Sequence, residues 1–174
     1  MRARRWPLEF GVATGRTLTA IANSIDRTVT GFDSFAGLPS DWREGVKKGA
    51  FACLPPKLPQ NAELKIGMIE NTLPVFLAEM TPAQIRFIHI DTDLYEPAKL
   101  ILDTCAPLMQ DTIIVFDEFF NFPGWQDHEY RAFADFQKKN PEIKCQYIGI
   151  GGNSAVSLAL GCERIAKIEM VFFA

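Results

Sequence analysis

Two short runs, RFIHID at 86–91 and TIIVFD at 112–117, constrain the fold of this chain more than any other feature. Each is apolar for most of its length, and each ends in a carboxylate. A strand that is buried on both faces reads as a near-continuous apolar run, whereas a strand with one wet face alternates. Such runs therefore call for helices on both sides of a sheet. The rest of the chain agrees, because short apolar runs alternate with segments of helical period, the pattern of βαβ units and a parallel sheet. Strands are expected at 7–12, 28–32, 63–67, 85–91, 112–117, 145–150 and 155–160.

The intervening segments carry one apolar stripe each. Leu18, Ile21, Ala22 and Ile25 mark a first helix, and Leu73, Phe76, Leu77 and Met80 a shorter second one opened by Thr72, Leu73 and Pro74. Ala98, Ile101, Leu102, Cys105 and Leu108 mark a third, with Pro97 at its first residue, where a missing N–H costs nothing. Tyr130, Phe133, Ala134 and Gln137 mark a fourth, stopped by Asn140 and Pro141. The segment 43–62, with three prolines and two glycines, is too long for an ordinary connection and is read as a lid or mobile loop. The apolar tail at 164–174 is either an eighth strand or part of a subunit contact, so a homodimer stays open.

The expected fold is a single α/β domain over 1–174, Rossmann-like and doubly wound, with a mostly parallel sheet. A chain of 174 residues with 48% hydrophobic residues suits one core. Its formal net charge of −3 gives no electrostatic reason for a nucleic-acid or anionic-membrane partner. Arg2, Arg4 and Arg5 look like a short solvated tail rather than part of a signal peptide, and no run approaches the roughly 18 apolar residues of a membrane span. The four cysteines, Cys53, Cys105, Cys145 and Cys162, are spread without a CxxC pair. They read as reduced, mostly buried thiols of a cytoplasmic protein rather than as a zinc site.

In an open parallel sheet, ligands bind beyond the carboxyl ends of the strands, where strand order reverses. The first such end is LEFGVATGRTL at 8–18, with Glu9, Gly11 and Gly15 at the turn and Arg16 and Thr17 opening the helix. It is one residue short of a Walker A loop and has Arg16 in place of the lysine. It also lacks one glycine of the dinucleotide fingerprint. Glu9 argues against both, since a carboxylate before the loop repels a pyrophosphate but suits an ammonium or sulfonium charge. A glycine turn serving only helix packing is the plainer reading.

Asp33, closing TVTGFDSF, is placed to accept both ribose hydroxyls of an adenosine-containing cofactor, unless it is simply a solvated strand end. Gly67 and Met68 of KIGMIENTL suit the wall of an adenine slot, although Met68 equally suits the core. HIDTDLY and VFDEFF then put Asp91 and Asp93 at one strand end and Asp117 and Glu118 at another. On neighbouring strands these carboxylates would repel one another, which a hard cation such as Mg²⁺ relieves. Otherwise some of them cap helices or point to solvent.

Four segments, LEFGVATGRTL, GFDSFAGLPSDW, IHIDTDLYEPAK and IVFDEFFNFPGW, together resemble the macrocin O-methyltransferase family of class I S-adenosylmethionine-dependent methyltransferases. The resemblance spans residues 8–125. It implies a seven-stranded sheet, S-adenosylmethionine as donor, and Mg²⁺-assisted transfer to a small-molecule hydroxyl, often on a sugar. By position it implies that Glu9, Gly11 and Gly15 hold the methionine end of the donor. Asp33 and Ser34 hold the ribose, and Asp91, Asp117 and Glu118 bind the metal. The second acidic pair reads Asp-Glu where the family has Asp-Asp, and the family's N-terminal helices have no counterpart before the first strand.

Asp91, directly or through the metal, and His128 of WQDHEY are the candidate bases. His89, inside an apolar strand, is read as a buried, hydrogen-bonded structural histidine. Phe119, Phe120, Phe122 and Trp125 are read as lining an acceptor pocket or filling the core, in preference to forming a docking surface. Two other functions compete: an NAD-dependent oxidoreductase, and a donor-binding but inactive interaction module.

Overall fold

The computed structural model describes residues 4–79, 83–151 and 156–164. Along them run β1 (Arg4–Phe10), α1 (Arg16–Asn23), β2 (Val29–Asp33), β3 (Ala62–Ile66), α2 (Ile69–Glu79), β4 (Ala83–Ile90), α3 (Tyr95–Cys105), β5 (Met109–Phe120), α4 (Glu129–Lys139), β6 (Ile143–Gly151) and β7 (Val156–Arg164). All seven strands join one sheet in the order β3-β2-β1-β4-β5-β7-β6. The strands β1 to β5 pair in parallel, and β7 runs antiparallel to both β5 and β6. The expected mostly parallel, doubly wound sheet is present. Met80, Ala155 and the tail beyond Arg164, all named in the sequence reading, lie outside the described residues, as does Arg2.

Side-chain parity along the strands sorts the helices onto two faces. Val29 of β2 packs with Leu18 and Ala22 of α1 in one apolar cluster. Its neighbour Phe32 belongs to the main cluster on the other face, with Leu73 and Phe76 of α2, Ile101 and Leu102 of α3, and Phe133 and Phe136 of α4. Ile88, Ile90, Ile114 and Phe116 of the two central strands point into this cluster and are fully buried. The apolar runs that announced these strands are thus the floor of the core.

Two helix starts differ from the sequence reading. The third helix begins at Tyr95, so Pro97 is its third residue. There it is still among the first four positions whose N–H has no intrahelical acceptor. The second begins at Ile69 and encloses Pro74, which forgoes one helical bond while Leu73 and Phe76 on either side of it are buried.

The cysteines also differ. Cys145 and Cys162 face each other in register across β6 and β7 and form a disulfide, with Cα atoms 4.1 Å apart. Antiparallel pairing brings together two residues that spacing alone leaves unrelated. Cys53 and Cys105 are free. Among the described residues no helix is long and apolar enough to cross a membrane.

The chain leaves β1 outward to β2 and β3, then returns across the sheet to β4. The carboxyl ends of β1 and β4 therefore diverge at a switch point, and a crevice opens there.

Candidate active site

A cleft of about 830 Å³ lies over this switch point. Of the residues singled out in the sequence, Gly11, Asp33, Ser34, Gly67, Met68, Asp91, Asp117 and Glu118 line it, and so does Asp93. Glu9, Gly15, Arg16, Thr17 and His128 do not.

The turn after β1 depends on Gly11. It has φ of +86°, and a Cβ there would stand 1.8 Å from the carbonyl oxygen of Asp91. No side chain fits, so the backbone of β1 can pass directly beside that of β4. Asp33 holds the same turn from the β2 side. Its Oδ2 accepts the N–H groups of Val12 and Ala13, both at 2.8 Å, and its Oδ1 accepts that of Phe35 at 2.7 Å. A carboxylate has about four acceptor sites, so these bonds leave room for a ligand hydroxyl. The Oγ of Ser34 accepts the N–H of Ala36 at 3.2 Å. The Gly67 N–H donates to the Asp33 carbonyl at 3.0 Å, which joins the Met68 wall to the Asp33 wall.

Glu9 acts from beneath the cleft. It is fully buried, and in the parallel register of β1 and β4 it sits opposite His89. Its Oε1 lies 3.0 Å from His89 Nδ1. Burial alone would keep the imidazole neutral, but the bonded Glu9 carboxyl, with Asp91 and Asp117 beyond it, raises its affinity for a proton. The structural reading of His89 therefore holds.

The acidic end of the cleft is gathered by β4 and β5, as their neighbouring carboxyl ends require. Burial, and then the charge of Asp117, push the Asp91 carboxyl up to about 7. Burial and the charges of Asp91 and Glu118 push Asp93 to about 7 as well, against the opposing pull of Arg43. Burial raises Glu118, which Arg43 also opposes from 3.4 Å. The three carboxylates expected to bind a metal are thus on one wall. Even so, among the described residues no three His, Cys, Asp or Glu side chains are grouped so that they could hold a metal ion. The arrangement does not fit the expected Mg²⁺ site.

His128, the other candidate base, does not line the cleft. Its ring packs against Trp42 and Phe122, with centroids 6.4 and 6.2 Å away, and burial lowers its pKa. It stands behind the wall instead of on it. Phe119 and Phe122 are buried, Phe120 and Trp125 are half-buried against the same clusters, and none of the four lines the cleft. Within the segment 43–62, Arg43 and Phe51 line the cleft, and Val46 and Ala50 pack against the buried cluster of Leu38, Trp42, Leu94 and Phe122.

Two polar residues of consequence escaped the sequence reading. Arg43 lies on the wall and pairs with Glu118. Glu129, at the first residue of α4, is buried and bonds the loop that carries Asp91 and Asp93. A sign of Glu129 was present in the sequence, for it is the one charge on the helix stripe formed with Ala132, Phe133 and Phe136.

Residues 8–119 match the family described as Methyltransferase domain. The calicheamicin methyltransferase CalS11 is similar in structure, with TM-score 0.69 and 25% identity over 90% of this chain and 71% of that one. The O-methyltransferase NovP has TM-score 0.64 and 20% identity over 91% and 72%. TomG from Streptomyces achromogenes, an O-methyltransferase solved in complex with SAM, has TM-score 0.55 and 17% identity over 92% and 74%. No match was found among curated protein sequences.

Proposed function

The chain belongs to the family of methyltransferase domains, and from that premise we propose that it is an O-methyltransferase moving the methyl group of S-adenosylmethionine to a hydroxyl of a small-molecule acceptor. The observation that carries this reading is the cleft itself. One end joins the Gly11 turn, Asp33 and Met68, and the other gathers Asp91, Asp93, Asp117 and Glu118 on one wall.

The residues present fit the donor. Asp33 and Ser34 hold the ribose, and Gly67, Met68 and Ile69 form an apolar slot for the adenine. The acidic lining attracts a ligand with a sulfonium charge and would repel a pyrophosphate. The cleft volume is at the upper end of small-molecule sites, roughly 300–1,000 Å³, which leaves space for an acceptor beside the donor. Leu38, Pro39, Trp42, Phe51 and Leu100 supply its apolar walls.

When bound, the donor supplies an activated methyl carbon. The protein orients the acceptor oxygen in line with it, and Asp91 takes the hydroxyl proton as the O–C bond forms and the C–S bond breaks. The reading includes no metal-borne step, because the carboxylates do not converge as ligands. Membership of the macrocin-like branch, with a sugar hydroxyl as acceptor, is the finer form of the proposal. The resemblance in the four sequence segments supports it, as does the likeness to CalS11, described as a TDP-rhamnose 3'-O-methyltransferase.

The test is calorimetric titration of S-adenosylhomocysteine into the protein and into Asp33→Ala, followed by turnover with a panel of sugar and phenolic hydroxyls. Micromolar binding that Asp33→Ala weakens, with methyl transfer to at least one acceptor, is the expected result. Absence of binding by the wild type would overturn the proposal.

A further inference from the structure

The acidic end of the cleft faces a cation that the chain itself provides. Among the described residues, Arg43 is the one basic side chain on the cleft wall. Its Nη1 lies 3.4 Å from Glu118 Oε2. Its guanidinium carbon stands 3.9 Å from the centre of the Trp42 ring and 5.4 Å from that of Phe122. Both rings are buried and meet edge to face, so they form a fixed platform. The backbone is pinned too: Arg43 bridges to Val46, the Val46 N–H donates to the Arg43 carbonyl at 2.9 Å, and the Trp42 N–H donates to the Val46 carbonyl at 3.1 Å. A guanidinium stacked on an aromatic face and held by its own turn does not swing away easily.

This placement has a consequence for metal binding. A divalent ion coordinated by Glu118 Oε2 would sit about 2.1 Å from that oxygen. It would therefore lie close to the guanidinium already beside that oxygen, and the two positive charges would repel in a partly desolvated site. We propose that Arg43 is the resident cation of the acceptor end of the cleft: it occupies the place beside Glu118 that a divalent metal would need, keeps the metal out, and acts as a positioning residue for the acceptor in a metal-independent transfer. The last element rests on the methyltransferase reading, and the exclusion of metal does not.

The experiment titrates Mn²⁺ alone into the wild type, Arg43→Lys and Arg43→Gln, following binding by calorimetry and by the loss of the free-ion paramagnetic resonance signal. The wild type and Arg43→Lys are expected to show no saturable site at millimolar Mn²⁺, and Arg43→Gln to bind at least about tenfold more tightly than the wild type. Turnover of the wild type is expected to be the same in EDTA and in Mg²⁺, and to fall in Arg43→Gln with recovery in Arg43→Lys. Tight Mn²⁺ binding by the wild type overturns the proposal, whatever the variants do. So does an Arg43→Gln protein that binds S-adenosylhomocysteine normally yet takes up Mn²⁺ no better than the wild type. Failure of every protein to bind S-adenosylhomocysteine would instead count against the methyltransferase reading, and the Mn²⁺ result would still decide the exclusion.

Discussion

The Oε1 of Glu129 accepts the backbone N–H of Thr92 at 3.1 Å and that of Asp93 at 3.2 Å, so a single buried oxygen holds the loop that presents Asp91 and Asp93 to the cleft. Asp93 needs that support, because it is a non-glycine residue at φ of +63°. Burial keeps the Glu129 carboxyl well above the usual carboxylate range. What the loop requires is the acceptor oxygen, which a glutamine keeps, although its amide nitrogen then falls where Oε2 is buried without a hydrogen-bond partner. Glu129→Ala leaves the buried Thr92 N–H and the half-buried Asp93 N–H without this acceptor and is expected to cost about 1–3 kcal/mol of stability in denaturant unfolding. Glu129→Gln keeps the acceptor oxygen and is expected to lose less stability than Glu129→Ala and to keep more of the turnover. Equal losses in the two variants would mean that the charge, rather than the acceptor oxygen, is what matters.

In the proposed reaction Asp91 takes the acceptor proton. Asp91→Asn is expected to lower kcat by about 10²–10⁴-fold while S-adenosylhomocysteine affinity, read by calorimetry, stays within a few fold. Burial and Asp117 push the Asp91 carboxyl to about 7, so it is protonated and idle below that pH. In the wild type kcat is expected to rise as pH increases through about 7 and then to level off. Stability moves the other way. With the folded-state value near 7 against an ordinary value of 3.8, the folded protein holds a proton that the unfolded chain has released between those limits. Stability contributed by this group is therefore largest at the acid end of that window and declines as pH rises through it. A kcat that is flat from pH 5 to 8 would remove Asp91 from the base role.

The Cys145–Cys162 disulfide joins the two antiparallel strands at one edge of the sheet. A link closing a loop of this size contributes about 3 kcal/mol by restricting the unfolded chain. Thiol titration of the denatured, unreduced protein is expected to find the two thiols of Cys53 and Cys105, and four after reduction. Cys145→Ser is expected to lower stability by about 2–4 kcal/mol without altering donor affinity, since neither cysteine lines the cleft. Four thiols before reduction would show that the pair is not linked.

Much of the fold was written locally. RFIHID and TIIVFD announce β4 and β5 because burial on both faces leaves no polar alternation, and their terminal acids announce the wall of the cleft. What stayed hidden depends on registration across the sheet or on loop packing. Glu9 meets His89 only because β1 and β4 pair in parallel at that register. Cys145 meets Cys162 only because β7 turns antiparallel. Arg43 lies in a loop with no periodicity, and its value comes from the Trp42 and Phe122 rings that fix it. The choice of His128 over Glu129 illustrates the same point. Ionisation chemistry favours the histidine, but the buried stripe of α4 includes its neighbour, so Glu129 is turned to the Asp91–Asp93 loop while His128 packs against Trp42 and Phe122.

The Gly11 turn makes the relation between the proposed donor and acceptor ends directly testable. A Cβ at this position would lie 1.8 Å from the Asp91 carbonyl oxygen, and the backbone there has φ of +86°. Gly11→Ala therefore faces both a left-handed conformation, unfavourable by about 1–2 kcal/mol, and a clash that only backbone movement relieves. The movement must separate β1 from β4 where the Asp91 N–H donates to the Phe10 carbonyl, and it disturbs the bond from the Gly11 N–H to the Phe32 carbonyl of β2 on the other side. Asp33, which bonds Val12 and Ala13, would be displaced along with the turn. The variant is expected to lose S-adenosylhomocysteine binding by at least about tenfold and to unfold at lower denaturant than the wild type. If it instead bound the donor normally while remaining destabilised, the turn would serve helix and strand packing alone, and the donor would have to be held by Asp33 and the Met68 wall.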